Sequence, residues 1–138
     1  MQLFAKNKKI GVQSFILKLV NNNCPELEAL IEGPRLEGRV NLVIVVTVVP
    51  MEKNKPVLDR AFTAVTKEFS TTGVSIVLDE ALGLDEAIVG FRWEAEMTFV
   101  RCKARHLNPM GGGFYQLGFQ MAEVIHVGDY PELQSVSF

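Results

Sequence analysis

Two arginines that are four residues apart, Arg35 and Arg39, are the side chains in this sequence best suited to bind an anion. They lie in the segment 33–39, in which Pro34 fixes its own φ angle and Gly38 can adopt a positive φ. The segment therefore predicts a shaped loop in front of the apolar stretch 40–49. A guanidinium group grips phosphate, or the O6 and N7 edge of guanine, with paired hydrogen bonds. Both side chains could therefore reach one flat anionic ligand.

A second group of polar residues, Glu68, Ser70 and Gly73, joins two strand-like segments further along the chain. A carboxylate can accept hydrogen bonds from the N1 and N2 edge of guanine, and a serine hydroxyl can both donate and accept. Glycine lets the backbone approach a ligand closely. These residue types suit an anion or purine site.

The composition limits what these residues can belong to. The chain has 138 residues, of which 48% are hydrophobic and 22% are charged, and this is typical of a single folded domain. The net charge of -2 argues against coating a nucleic-acid polymer by bulk charge, so an anion site must be a local basic patch.

The sequence also predicts the cellular compartment of the protein. The apolar stretch 40–49 is too short to span a bilayer as a helix, and no cleavable leader is recognised at the amino terminus. Two cysteines, Cys24 and Cys102, are too few for a disulfide framework and suit a reducing compartment. We therefore expect a cytoplasmic protein without a membrane partner.

Residues 1–32 predict a helical extension. Apolar residues recur at helical spacing between residues 12 and 20, although rough alternation and β-branched residues leave a strand possible there. Pro25 suits a first helical position, and Glu26 and Glu28 follow near the positive end of the helix dipole. This pattern predicts a short helix over 25–32, which Gly33 and Pro34 would end.

From residue 40 onward the apolar period changes from helical to two. Strand-like segments are predicted at 40–49, 57–67, 74–78, 87–95, 97–107 and 115–121, with a polar connection at 50–56. Six strands at short spacing without intervening helices predict a mostly β fold, a six-stranded antiparallel β-barrel. The tail 122–138 is expected to hold one short helix, so the barrel domain would cover 33–138.

The two groups of polar residues together resemble the signature of one protein family. Arg35-x-x-x-Arg39 followed by Glu68-x-Ser70-x-x-Gly73 resembles the two-part signature of PilZ domains, R-x-x-x-R and [D/N]-x-S-x-x-G. The resemblance runs from about residue 33 to the end of the chain, where Gly118-Phe119 on the last strand resembles the usual barrel end of the family. It implies a split barrel that binds the bacterial second messenger cyclic di-GMP and then changes its contacts with a protein partner, as yet unidentified.

The resemblance also implies a role for each motif residue. Arg35 and Arg39 would grip guanine edges and phosphates, while Glu68, Ser70 and Gly73 would complete the pocket from the barrel surface. The implied module has no catalytic residue, no metal and no cofactor apart from the ligand cyclic di-GMP. One departure is visible, because Glu68 stands where the family has Asp or Asn.

Two alternatives remain open beside the receptor. A barrel that has lost nucleotide affinity through Glu68 could serve as a protein-protein interaction or homo-oligomerisation scaffold through its apolar first strand. A hydrolase of the same dinucleotide is disfavoured, because neither a paired-carboxylate metal site nor an activated nucleophile is visible in the sequence.

Two other groups of residues have a spacing that could form a site. Cys102 and His106 have a spacing seen in zinc sites, with Cys24 and His126 as completions, but strand positions four apart share a face without converging. Arg101, Lys103 and Arg105 fall on one strand face, and without interleaved aromatic residues they predict solvated charge, not a nucleic-acid stripe.

Overall fold

The computed structural model describes residues 11, 12, 15, 16, 31, 32, 35, 36, 40–93 and 96–135. These residues form a mostly β structure. Its strands in chain order are β1 (Ile31–Glu32), β2 (Arg35–Leu36), β3 (Val40–Asn41), β4 (Val45–Glu52), β5 (Lys55–Pro56), β6 (Phe62–Phe69), β7 (Gly73–Leu78), β8 (Glu86–Trp93), β9 (Glu96–Gly111) and β10 (Phe114–Ile125).

Six of these strands close into an antiparallel barrel. They follow one another in the order β6, β7, β10, β9, β8 and β4, and β4 pairs again with β6, so that the ring is complete. The six predicted strand segments supply these six strands, and the predicted six-stranded antiparallel barrel is confirmed. Alternating apolar residues explain the closure, because one face of every strand must be removed from water.

The first predicted strand, 40–49, is divided in the structure. Residues 42–44 separate β3 from β4, and the buried Thr66 hydroxyl fills the gap between the two strands. It donates to the Leu42 carbonyl oxygen at 2.7 Å and accepts from the Ile44 amide at 2.8 Å. A side chain therefore satisfies backbone groups that a regular ladder would have paired.

The polar connection predicted at 50–56 is a tight hairpin. Strand β4 continues through Pro50 to Glu52 and pairs with β5, with Lys53 and Asn54 between them at φ angles of 52° and 65°. Positive φ angles are the backbone requirement of a two-residue hairpin turn, and Asn tolerates them well.

The barrel interior is a continuous apolar core. Val12, Phe15 and Ile16 are helical and belong to this core, where the Phe15 ring packs edge-on against Phe91 with centroids 5.2 Å apart. The remaining buried members include Val46, Val48, Phe69, Val74, Ile76, Val89, Val100, Cys102, Leu117, Phe119 and Met121.

The predicted short terminal helices are not supported, because no helix of seven or more residues occurs among the described residues. The helix expected over 25–32 is wrong at its end: Ile31 and Glu32 form β1 and pair with Leu36 and Arg35 of β2. Gly33 and Pro34, which are predicted to end this helix, lie outside the described residues. Residues 25–30 lie outside the described part of the chain.

The carboxy-terminal tail also differs from the prediction. Strand β10 runs to Ile125, and two short 3-10 segments, Val127–Asp129 and Pro131–Ser135, follow in place of a helix. They carry Leu133, which is 1% exposed, onto the outside of the barrel against Val49, Ile88 and Phe99. This second core covers the outer face of β4, β8 and β9.

Within the described ranges, no helical segment has both the length and the apolar character needed to cross a bilayer.

Candidate ligand-binding site

The turn between β6 and β7 brings Ser70 and Gly73 together. The Gly73 amide donates to Ser70 Oγ at 3.1 Å, and the Ser70 amide donates to the Gly73 carbonyl at 3.0 Å. A Cβ atom on residue 73 would lie 2.9 Å from Ser70 Oγ and 3.3 Å from the Phe119 carbonyl oxygen. Glycine is therefore favoured here by the close approach of the Ser70 side chain and of β10.

The turn is also fastened to β10. The Met121 amide donates to the Thr72 carbonyl oxygen at 2.8 Å, and Gln120 Nε2 donates to Thr72 Oγ1 at 2.9 Å. The backbone of the turn is thus held in place by the barrel.

Glu68 is aimed outward by a β-bulge. Thr66 pairs with Ile76 and Glu68 pairs with Ser75, so Lys67 is the extra residue in β6. In a regular strand Thr66 and Glu68 would share the inner face, whereas the bulge places Glu68 on the outside.

The Glu68 carboxylate is steered by its neighbours on the barrel surface. Gln116 Nε2 donates to Glu68 Oε1 at 3.4 Å, and Lys67 Nζ donates to Gln116 Oε1 at 3.1 Å. The Gln116 amide therefore links the Lys67 ammonium group to the Glu68 carboxylate. The three side chains form one polar rim.

A cleft of about 320 Å³ lies above β6, β7, β10 and β9, and Glu68, Ser70 and Gly73 all line it. The structure thus brings together the three residues of the second motif. The other lining residues come from the end of β6, from β7 and from β9 and β10: Phe69, Val74, Ser75, Arg105, His106, Asn108, Gln116, Gly118, Phe119 and Gln120.

The floor of the cleft is a straight row across four strands. Glu68 pairs with Ser75, Ser75 with Gly118, and Gly118 with His106. Because Gly118 has no side chain, the middle of this row is open: a Cβ there would meet nothing nearer than His106, at 3.9 Å.

A second β-bulge shapes the far side of the cleft. Gly118 pairs with His106 and Phe119 pairs with Ala104, which leaves Arg105 as the extra residue in β9. Arg105 and His106 therefore both lie on the outside of the barrel, although they are consecutive in the sequence. The cleft is bounded by an acidic side chain on β6 and by basic side chains on β9.

Ser75 has an unusual position in this cleft. Its side chain points away from the barrel core, yet the residue is only 6% exposed, and Ser75 Oγ makes no hydrogen bond within the described structure. A buried hydroxyl without a partner costs about 1 to 3 kcal/mol, so such groups are uncommon in folded proteins.

The two arginines of the first motif are only partly located. Arg35 lies on β2 and pairs with Glu32 through the backbone, and the structure does not describe its side chain. Arg39 lies outside the described residues. The next residue, Val40, pairs with Phe69, and Asn41 pairs with Glu68. Strand β3 therefore carries the chain from the arginine motif to the edge of the cleft.

Among the lining residues that sequence reasoning did not place in this site are Ser75, Arg105 and His106. Their positions depend on strand register and on two bulges, which the strand pattern did not reveal. The available signal was Gly118, because an isolated glycine within a strand indicates a bulge or a close backbone approach.

A second and larger hollow, of about 720 Å³, lies on a different part of the barrel surface. Val45 pairs with Val65, and Val65 pairs with Val77, so an apolar row crosses three strands there. Val45, Val65 and Phe114 are 49%, 37% and 49% exposed, and Asp79 and Glu80 supply acidic groups at the wall. This apolar groove has the composition of a protein contact surface.

Cys102 and His106 lie on opposite faces of β9. Cys102 is buried inside the barrel, where loss of solvation raises the pKa of its thiol, whereas His106 is exposed on the outer surface. The two side chains therefore cannot hold the same ion. In the described ranges no cluster of three or more His, Cys, Asp or Glu side chains has the geometry of a metal site.

Arg101 belongs to the barrel scaffold. It donates to Glu86 at 2.8 Å and to Asn54 at 3.0 Å, and the hydrogen bond with Glu86 raises the pKa of its guanidinium. Arg101 therefore ties β9 to β8 and to the β4–β5 hairpin.

No protein-family model matches the sequence, and no curated protein matches it. Among solved structures, the fold is similar to that of the Bacillus subtilis inhibitor of motility, MotI/DgrA, with a TM-score of 0.50 and 15% sequence identity. The similarity covers 70% of this chain and 46% of that chain, so this chain spans less than half of its neighbour's length. At this identity the comparison shows a shared fold.

Proposed function

We propose that this chain is a PilZ-like receptor module that binds cyclic di-GMP and, on binding, changes its contacts with a protein partner. The module acts by binding and not by catalysis. Its structural neighbour is described as an inhibitor of motility, and that description is compatible with a regulatory module.

One observation carries the proposal. Glu68, Ser70 and Gly73 line a single cleft on the outside of a closed barrel, and β3 leads to that cleft directly from the arginine motif. The ligand is a dianion that carries two planar guanine bases. In the proposed complex, Arg35 and Arg39 close over it and bind guanine edges and phosphates, because arginine forks match both groups.

Isothermal titration of the purified chain with cyclic di-GMP tests the proposal. Arg35→Ala and Arg39→Ala should each weaken binding about ten- to a hundred-fold, since a fork on a guanine edge contributes about 1 to 3 kcal/mol. Arg60→Ala is the matched control, because Arg60 lines the apolar groove and pairs with Glu52. Absence of heat at micromolar protein, or unchanged affinity in both arginine variants, would reject the receptor.

The non-catalytic character has its own readout. Cyclic di-GMP incubated with the chain should be recovered intact by chromatography, and the appearance of linear dinucleotide would show a hydrolase instead.

The apolar groove favours a second candidate function, an interaction or oligomerisation scaffold with little nucleotide affinity. Val43, Val45 and Val65 expose apolar surface on and beside the first barrel strand. If a second copy of this chain covers that surface, light scattering should report an oligomer that Val65→Asp dissociates. In that case Glu68→Asp, which restores the residue type of the family signature, should raise cyclic di-GMP affinity.

A further inference from the structure

The structure assigns to Ser75, Arg105 and His106 a second wall of the ligand site: we propose that one guanine base of the ligand lies over Gly118 between these residues and the Ser70–Gly73 turn. The inference rests on the proposed function. It adds residues from β7 and β9 that belong neither to the arginine motif nor to the motif of Glu68, Ser70 and Gly73.

Gly118 provides the surface for the base. It lies in the middle of the row from Glu68 to His106, and an added Cβ would have 3.9 Å of clearance from the His106 ring and carbonyl. A flat ring can therefore approach the backbone at this point. Any larger residue at position 118 would project into the cleft and occupy the same volume.

The Ser75 hydroxyl provides a partner that the free protein does not use. It is buried beside Gly118, lines the cleft and makes no hydrogen bond to any described residue. Because the Ser75 oxygen is shielded from solvent, a rim side chain must shift before a guanine edge, which presents both donors and acceptors, can reach it. Binding would then remove the desolvation penalty that the unbound hydroxyl carries.

Arg105 provides a cation on the β9 side of the cleft, across from β6 and β3. The bulge exposes it beside His106, and no hydrogen bond or ion pair engages either side chain within the described structure. In contrast, Gln116 and Gln120 at the rim are already engaged with Glu68 and Thr72. Arg105 is therefore available to bind a phosphate or the guanine edge with a paired contact.

Ser75→Ala separates a ligand contact from a structural role. The variant should bind cyclic di-GMP at least three-fold more weakly than the original chain, while its melting temperature without ligand stays equal or rises, because an unpartnered buried hydroxyl is lost. Thr47→Val is the matched control. Thr47 carries the other buried hydroxyl without a described partner, lies on β4 and does not line the cleft, so this variant should keep full affinity.

Arg105→Ala should weaken binding about ten-fold, and Gly118→Val should weaken it further by filling the cleft. Lys103→Ala removes the same charge from an exposed position on β9 that does not line the cleft, so it should change affinity less than three-fold.

The outcomes distinguish this inference from the proposed function. If the unmodified chain binds no cyclic di-GMP, both the receptor function and the second wall are rejected. If it binds, and only Arg35→Ala and Arg39→Ala weaken it while Ser75→Ala, Arg105→Ala and Gly118→Val do not, the receptor stands and the second wall is rejected. A lower melting temperature with full affinity in Ser75→Ala would show that the hydroxyl serves the fold.

Discussion

At the scale of single residues, the site depends on close contacts around one turn. Gly73 lies against Ser70 Oγ on one side and the Phe119 carbonyl oxygen on the other, and its amide donates to the same hydroxyl. A methyl group at this position would have to displace the Ser70 side chain, which would break that hydrogen bond. The same two residues, Ser70 and Gly73, therefore make both the hydrogen bond and the tightest packing contact of the turn.

Gly73→Ala should consequently destabilise the protein by about 1 kcal/mol, the usual net value of one hydrogen bond, and should also weaken cyclic di-GMP binding. Thermal unfolding and titration measure the two effects. Gly83→Ala is the control, because a Cβ at Gly83 meets no atom within 4 Å and its φ angle is not in the left-handed region. Equal melting temperatures for the two variants would contradict the described turn.

The residue scale also shows how far sequence reasoning reached. Glu68, Ser70 and Gly73 could be grouped from the sequence because they fall within one turn, and the cleft contains all three. Ser75 and Arg105 could not be added, because their positions depend on which residues face each other across β6, β7, β10 and β9. Two bulges shift that register, and they arise from long-range pairing that a strand period of two does not encode.

At the scale of elements, Thr66 controls how β3 reaches the cleft. Its hydroxyl bridges Leu42 and Ile44 across the break between β3 and β4, while Val40 and Asn41 remain paired with Phe69 and Glu68. One buried side chain therefore bridges the break between β3 and β4, while both strands remain paired with β6.

Thr66→Val keeps the shape of the side chain and removes both hydrogen bonds. It should lower the free energy of unfolding by about 2 to 4 kcal/mol, because the Ile44 amide and the Leu42 carbonyl lose their hydroxyl partner. Urea unfolding measures this loss. Thr63→Val on the exposed face of the same strand should be close to neutral, and a similar loss in both variants would contradict the bridging role.

Element types were predicted well where apolar alternation was long and poorly where it was short. All six barrel strands follow from a period of two, because each strand needs one buried face. The predicted helix over 25–32 rested on cap and dipole signals, and these did not prevent Ile31 and Glu32 from pairing with β2. Long-range or hairpin pairing overrides such local preferences.

At the scale of the whole molecule, the outer surface of the barrel divides into three regions. The 3-10 segments cover β4, β8 and β9, the polar cleft lies over β6, β7, β10 and β9, and the apolar groove exposes Val45 and Val65. The interior holds the common core, in which Cys102 is fully buried and burial raises the pKa of its thiol.

Cys102 therefore reports on opening of the entire barrel. In a Cys24→Ser background, it should react with a thiol-specific disulfide reagent at least about a thousand-fold more slowly in the native protein than in denaturant, since the thiolate forms only on exposure. Absorbance of the released thiol follows the reaction. Rapid labelling under native conditions would show that the thiol is not enclosed.

An amide chemical-shift titration by NMR tests the location of the site most directly. On addition of cyclic di-GMP, we expect saturable shifts at Ser70, Gly73, Ser75 and Gly118, whereas Ile88, beneath the carboxy-terminal cover, stays unchanged. Saturating shifts confined to the apolar groove, or no shifts in the cleft at millimolar ligand, would contradict the claim that this cleft is the messenger-binding site.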